Sequence, residues 1–510
     1  MRTESLIAGA WLFSGYGAAA SLNSSQIPTG FAPCDALIKS GLGDRVLLAT
    51  EPAYSARIES YWALNSRQHP YCIVQPRTAQ EVSKAMVALL EVNDGAGDWH
   101  IAIRAGGHNT GGANNIDNGV TIDLVHLNQV TYDKDTNIAS IGPGLKWMDV
   151  YAQLARHDVL VTGGRDGDVG VGGFLLGGGS TFFMGTRGFG CDDVKNYEVA
   201  LTNGTIVNAN KNENSDLWRA LKGGGSNFCI VTRYDMEALP NKKLAHTVRT
   251  LNFTYSTQMA SGFVDFTEHY QHHPHDALVL WLMHNTSTLQ STYMGTIQVN
   301  TEGNTNSSGF KKLDQIPALA PSPYEHVSLA EAAANSQVQG DAWMAGATIT
   351  FANDERLIKK AFDMHEDYVQ ELNKAIGADN FVTMFFFQPM PTMFGDIANK
   401  KGGNMIGFDM EERNAILWTA GVEVKTNQED RIFAQTKMNQ MAAKLKRSSQ
   451  AMGASTDLVY MNYADSSQDP LGSYGAKNVE YMKSVAARYD PEGLFQTRFP
   501  LGFKISRVNI

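Results

Sequence analysis

Residues Ile103–Gly112 read IRAGGHNTGG, four glycines around one imidazole. Glycine costs backbone entropy, so a cluster of it marks main chain that must approach something closely or adopt positive φ. His108 is then either a reactive group presented by that loop or the incidental side chain of a tight surface turn. Two more glycine-dense stretches follow, Gly163–Gly179 and Gly223–Gly225, each after an apolar run and all within about 120 residues. Backbone N–H groups at such turns form anion-binding concavities that suit a diphosphate. The segment GVGGFLLGGG does not carry the compact strand, G-x-G-x-x-G and helix unit of a nicotinamide domain. A phosphate-bearing cofactor laid across several loops fits the spacing better.

These loops need elements to hold them. RTAQEVSKAMVALLEVN places Val82, Met86, Leu89 and Leu90 at helical spacing. WHIAIRAGG reads as strand into loop, and GVTIDLVHLNQVTYD alternates Val120, Ile122 and Leu124 like a strand. NIASIGPGLKWMDVYAQLARHD predicts a strand, a Gly-Pro-Gly turn and a helix; VKNYEVALTNGTIVNA predicts a hairpin turning at Asn203-Gly204. SDLWRAL predicts a short helix capped by Ser215 or Asp216. From about Lys242 glycine thins, and strands such as HTVRTLNFTYS alternate with helices such as ERLIKKAFDMHEDYVQELNKAIG, the texture of an α+β unit with an antiparallel sheet. No repeat, linker or low-complexity stretch interrupts the chain.

At 510 residues the chain exceeds one ordinary core. Apolar content of 43% with 18% charge is globular, and a net charge of −10 argues against a nucleic-acid partner. The N-terminal MRTESLIAGAWLFSGYGAAASLNSS has a basic start, a short apolar run and a small-residue site at Ala18–Ala20, the pattern of a secretory signal over 1–20. No later run is apolar enough to span a membrane. In that compartment Cys34 and Cys72 form a disulfide, while Cys191 and Cys229 read as buried free thiols. Acceptor sequons stand at Asn23, Asn203, Asn252, Asn285 and Asn306.

Nine ordered segments resemble the berberine-bridge-enzyme-like FAD-linked oxidases of the vanillyl-alcohol-oxidase superfamily: PRTAQEVSKAM, IRAGGHNTGG, GVTIDLVHLNQV, GPGLKWMDVY, VGVGGFLLGGGSTF, GFGCDDVKNYEVALTNGTIV, DLWRALKGGGSNFCIVT, YMNYADSS and YDPEGLFQTRFP. The resemblance implies an α+β protein with a two-subdomain PCMH-type FAD-binding domain over 21–240, a substrate domain with an antiparallel sheet over 241–455, and a return to the FAD domain over 456–510. It implies that Arg104, Ala105, Gly106, Gly107, His108 and Asn109 wrap the FAD diphosphate, with His108 bonded covalently to the isoalloxazine 8α carbon. Val169, Gly170, Gly172, Gly173, Gly177, Gly225, Ile230 and Asn462 complete the implied cofactor contacts. A covalent link retains the flavin and raises its potential. Where many members carry a cysteine that makes a second flavin bond, this chain has Asp166 in GRDGDVGVGG, so one bond through His108 is expected. Phe174 and Cys229 are further departures, from a histidine and a glycine. Val169, three residues past Asp166, occupies the position that controls oxygen access, and its size points to an oxidase that releases hydrogen peroxide.

On the substrate side the resemblance makes Tyr460 of the Y-x-N motif the base or proton relay, with its pKa lowered by nearby charge, and Asn462 a flavin or substrate contact. Tyr463 is the alternative. Gln388 in FFFQPMP falls on a presumed strand, where an amide orients a polar ligand. Glu411 or Glu412, near Asp409 in FDMEER, are alternative bases on that sheet. Phe385, Phe386, Phe387, Met390, Met393 and Phe394 read as a greasy cavity for a hydrophobic natural product, or as core. HYQHHPHD, with adjacent His272 and His273, reads as surface, and no metal is expected. The leading function is oxidation of a small secondary metabolite with dioxygen as acceptor. The alternatives are an oligosaccharide oxidase and a flavin-scaffolded cyclase or binding protein without redox turnover.

Overall fold

The computed structural model describes residues 28–92 and 97–508. The signal segment 1–20 and the sequon at Asn23 lie outside the described residues. The described first half contains two larger sheets and a two-stranded one that pairs Val159–Leu160 with Leu239–Pro240. In one of the larger sheets, Cys72–Val74, Gly119–Asp123 and His100–Arg104 run parallel, with Val46–Leu48 antiparallel at the edge. Helix Ala79–Leu90 buries Val82, Met86 and Leu89 in the same core as this sheet, and the Thr78 hydroxyl caps it by accepting from the Glu81 N–H. A disulfide joins Cys34 to Cys72, while Cys191 and Cys229 are free and buried.

The strand Gly119–Asp123 is buried at all five positions rather than at alternate ones, and the chain from Leu124 to His126 leaves it as a short 3-10 turn. The strand expected at Val120 and Ile122 is present, with Leu124 just past its end, and burial at every position is usual for a strand between two parallel neighbours, whose sheet is packed on both faces. The second sheet is antiparallel, in the order Val130–Asp133, Ile138–Ile141, Ile230–Glu237, Val194–Ala200 and Ile206–Asn210; its last pair is the hairpin with Gly204 at φ +83°. Helix Ser215–Leu221 is preceded by Asn214 in the left-handed region. Ser215 and Asp216 are both already helical, so neither occupies the cap position, although Asp216 Oδ1 accepts from the first-turn Leu217 N–H at 3.0 Å.

All seven strands of the third sheet, between Leu244 and Val424, are antiparallel. The amphipathic helix Glu355–Ile376, capped by Asp354, packs on one face of this sheet together with Gln428–Ala451 and Ser256–Glu268. The opposite face looks toward the first half of the molecule. Period-two geometry therefore sorts the strand Phe381–Met390: Phe385 and Phe387 meet the helices, through His365 at 4.7 Å and Phe362 at 5.4 Å between ring centroids, while Met384, Phe386 and Gln388 face the cavity described below. The chain then returns to the first half. Ile101 N–H donates to Arg498 O at 2.8 Å, and Asn227 ties Phe503 and Ile505 down. No described helix is long and apolar enough to cross a membrane.

Candidate active site

A cavity of about 540 Å³ lies between the glycine loops of the first half and the inner face of the seven-stranded sheet. Its floor is main chain. Ala105–Asn109, Gly170, Gly172, Gly173, Gly177, Gly225 and Ile230 all line it. Gly106 and Gly170 cross: a Cβ on Gly106 would sit 2.4 Å from Gly170 Cα, and one on Gly170 would sit 2.5 Å from Gly106 Cα. Side chains are therefore excluded there by loop-on-loop contact, whatever else the loop approaches. Gly177 is glycine for a different neighbour, since a Cβ would overlap Asn462 Oδ1. The Asn462 amide in turn donates to Phe174 O at 3.0 Å, so the Y-x-N segment is pinned against the helix Val171–Leu176.

His108 ends the first loop. Its ring stacks on Trp62, with centroids 4.2 Å apart and planes at 17°, while the Trp62 N–H donates to Gly107 O. His108 is half-buried, and its Nε2 is shut off from solvent with no hydrogen-bond partner among the described residues. Burial holds its pKa below the usual value of 6.5; Asp166 and Asp168 oppose that shift and Lys146 reinforces it. The depressed pKa favours the neutral ring, and His108 lines the cavity. Asp166 does not contribute a reactive group of that kind. Its Oδ1 accepts from the Asp168 N–H at 2.8 Å and its Oδ2 from the Val338 N–H at 3.0 Å, and burial raises its pKa. Through Val338, whose carbonyl accepts from Trp62 Nε1 at 3.0 Å, the Asp166 carboxylate joins the cofactor loop to a segment of the sheet half.

Of the residues singled out in the sequence, Val169, Gln388, Tyr460 and Asn462 all line the cavity beside the glycines. Arg104 does not. Its guanidinium turns away to donate to Arg57 O and Ser60 O and lies 3.6 Å from the centre of the Tyr61 ring. It props the loop at Gly107, whose Cβ position it fills. The lowered pKa expected for Tyr460 is corrected. Its hydroxyl accepts from the Gly179 N–H at 2.8 Å and from Asn462 Nδ2 at 3.2 Å, and burial raises its pKa well above 10 instead of charge lowering it. It is a protonated phenol that anchors a glycine loop. Glu411 and Glu412 are corrected too: the segment precedes the strand Ala415–Val424, Glu412 and Asp409 are exposed, and none of the three lines the cavity. Among the aromatic candidates only Phe386 lines it. Phe385, Phe387, Met390 and Phe394 are buried in the core against which Met393 packs. No described group of three or more His, Cys, Asp or Glu side chains is placed to hold a metal ion.

Three contributors were not legible. Trp62 lies in a stretch with no motif. Arg165, between Gly164 and Asp166, donates through Nη2 to Gln388 Oε1 at 2.5 Å and to the Tyr463 hydroxyl at 3.0 Å. The only signal for it was a cation inside a glycine run. Lys504 lines the cavity near Gly225, donates to Ser226 O at 2.6 Å, and has its pKa pulled down to about 7 by burial. A lysine six residues from the end of the chain gives no hint of such burial.

Glycine loops around a reactive imidazole, facing an antiparallel sheet across one cavity, define a flavin-linked oxidoreductase. Residues 70–210 match the FAD binding domain family model. An FAD-dependent monooxygenase of Aspergillus calidoustus is 32% identical, covering 94% of this chain and 91% of that protein. Among solved structures, the BBE-like 1 protein of Physcomitrella patens superposes with a TM-score of 0.74 at 17% identity, over 92% of this chain and 98% of its own. A glucooligosaccharide oxidase of Acremonium strictum, whose FAD is both cysteinyl- and histidyl-linked, gives 0.73 at 18%, over 94% and 99%. The chain belongs to the berberine-bridge-enzyme-like family of FAD-dependent oxidoreductases. The residues present fit the cofactor: a buried orphan nitrogen on His108 and walls made of backbone where Cβ atoms have no room.

Proposed function

We propose that the protein is an FAD-linked oxidase that carries its flavin on His108 alone, oxidises a hydrophobic secondary metabolite and passes the electrons to dioxygen. The observation that carries this reading is the neutral His108 ring, with its solvent-shielded and unpartnered Nε2, at the end of the glycine loop. A deprotonated ring nitrogen is what an attack on the 8α carbon requires. Asp166 supports the single link, because a carboxylate cannot form a thioether and both its oxygens are engaged by backbone N–H groups. The substrate wall supports an apolar molecule over a sugar. Val279, Ile297, Met344, Met384 and Phe386 dominate it, and few polar side chains are present to meet many hydroxyls. When bound, the flavin supplies the two-electron acceptor. The substrate loses a hydride and a proton, and dioxygen takes two electrons and two protons to become hydrogen peroxide. The Cys34–Cys72 disulfide supports passage through an oxidising compartment, in line with the signal-like segment 1–20.

A second reading, a monooxygenase that leaves one oxygen atom in the product, is favoured by the name of the Aspergillus relative. Turnover under isotopically labelled dioxygen separates the two: an oxidase yields stoichiometric peroxide and unlabelled product, whereas a monooxygenase labels the product. Wild-type flavin should remain with the polypeptide after acid precipitation, and His108→Ala should release it. Flavin still covalently held in His108→Ala would remove the assigned link.

A further inference from the structure

Arg165 is a cation on the cavity wall that no carboxylate contacts among the described residues. The adjacent acids are engaged elsewhere: Asp166 with two backbone N–H groups, and Asp168 with Lys146 and the backbone loop. Its hydrogen bonds within the protein go from one nitrogen, Nη2, to Gln388 Oε1 and the Tyr463 hydroxyl oxygen. Both partners are neutral. By accepting from Arg165, Gln388 and Tyr463 each commit an oxygen and keep hydrogens to give. The Gln388 amide N–H groups and the Tyr463 O–H have no acceptor among the described residues. Three side chains from three separate segments of the chain thus converge on the cavity with hydrogens left to donate, one of them charged, while the surrounding wall at Val279, Ile297, Met384, Phe386 and Ala420 is apolar.

Donors that converge in an apolar cavity leave a strong desolvation cost unless an acceptor fills them, and a charged acceptor fills them best. We propose that Arg165, Gln388 and Tyr463 form an oxyanion-binding site, and that the substrate is a hydrophobic molecule held as its anion: the phenolate or enolate of an acidic phenol or β-dicarbonyl, or a carboxylate. The proposal rests on the reading of this cavity as the substrate site. It also accounts for a gap in the site. Tyr460 holds its proton and the carboxylates of FDMEER lie away from the cavity; of the other titratable lining groups, Lys504 donates to Ser226 O beside Gly225 and Asp166 is engaged by two backbone N–H groups, so none of them bonds to Arg165, Gln388 or Tyr463. A substrate that enters as an anion has already lost the proton that a base would take. A neutral sugar or an ammonium group would leave the guanidinium uncompensated.

The test is equilibrium dialysis of the flavin-loaded enzyme against three neutral or ionisable probes of one shape: para-nitrophenol, para-nitrobenzoate and para-nitroanisole. The wild type is expected to bind the better of the two ionisable probes at least tenfold more tightly than the anisole, and which of them wins identifies phenolate or carboxylate as the anion. Arg165→Gln should abolish that preference while leaving anisole affinity within about twofold; Tyr463→Phe should reduce it by about threefold. Equal binding of all three probes to the wild type, or a preference that survives Arg165→Gln, overturns the site. If Arg165→Gln loses its flavin, Arg165→Lys decides: a lysine keeps the charge but not the fork, so a preference that is weakened yet present supports the site, and one that is unchanged or reversed does not. Dialysis needs no turnover. Failure of the oxidase reading shows as absent peroxide with an intact Arg165-dependent preference, and failure of the oxyanion site shows as the reverse.

Discussion

The two walls of the cavity are built on opposite principles. The flavin-side wall is backbone: glycines at 106, 170 and 177 are there because another part of the protein occupies the space a side chain would take. The sheet-side wall is side chain: alternate residues of antiparallel strands, presented by register and replaceable one at a time. A wall of the first kind tolerates almost no variation, and its pattern repeats wherever the same loops cross. A wall of the second kind keeps its shape while its chemistry changes. Cofactor and substrate demand this division, since one is fixed and the other varies.

The largest expected effect on cofactor binding tests whether the backbone wall is as rigid as its contacts imply. Gly106→Ala puts a methyl 2.4 Å from Gly170 Cα, where relief requires one loop to move. Overpacking of this kind costs about 1–3 kcal/mol or more, and the variant should purify without flavin. Gly173→Ala is the control: its Cβ meets nothing within 4 Å, so stability should hold and any loss should be confined to flavin affinity. Equal damage from both substitutions, read by thermal melting and flavin absorbance, would mean that the loop crossing is not what fixes glycine at 106.

The sheet wall is tested by adjacent phenylalanines. Phe387 is fully buried against Phe362, and Phe387→Ala should lose about 3–5 kcal/mol in denaturant unfolding. Phe386 lines the cavity and is half-buried, so Phe386→Ala should change stability by about 1 kcal/mol or less while shifting KM. Comparable destabilisation by both would place Phe386 in the core and remove it from the substrate wall.

This contrast also explains what the sequence disclosed. The glycine loops are local, each within one short segment, and the elements that carry them were legible from periodicity and turn residues at Ala79–Leu90, His100–Arg104 and Asn203-Gly204. The sheet wall is assembled from residues far apart in the chain. Nothing near Arg165 announces that its guanidinium meets Gln388, 223 positions later, and Tyr463, 298 positions later. A run such as FFFQPMP gives composition, but only the pairing of Phe381–Met390 with its neighbours decides which phenylalanines face the ligand. The pKa of Tyr460 was misjudged for the same reason: the backbone N–H of Gly179 that the Tyr460 hydroxyl meets lies 281 positions away.

Tyr460 sits where the two walls meet, and a conservative change sharpens its assignment. Tyr460→Phe leaves the Gly179 N–H without its acceptor, so about 1–3 kcal/mol of stability should go. With the phenol held protonated, kcat should fall by no more than about twofold. A general base would show instead a loss of about 10²–10⁴, with a changed pH profile of kcat, and that result would return Tyr460 to the chemistry.

The smallest expected effect concerns the pH dependence of flavin attachment. Burial depresses the His108 pKa below 6.5, so the neutral ring persists into acid. Attachment to flavin-free protein, followed as in-gel flavin fluorescence after FAD is added, should be flat above pH 6.5 and should slow only well below it. Asp166 acts in the opposite sense, because its negative charge favours the imidazolium. Asp166→Asn should therefore move the acid limb to still lower pH, by a small step, since burial is the larger influence. A limb centred on 6.5 in the wild type would mean that water reaches the ring despite Trp62, and the backbone wall would then be less closed at its reactive end than the stacking at 4.2 Å implies. A limb that moves up in Asp166→Asn would show that the carboxylate acts through its bond to the Val338 N–H, holding the sheet-side segment over His108, and not through its charge.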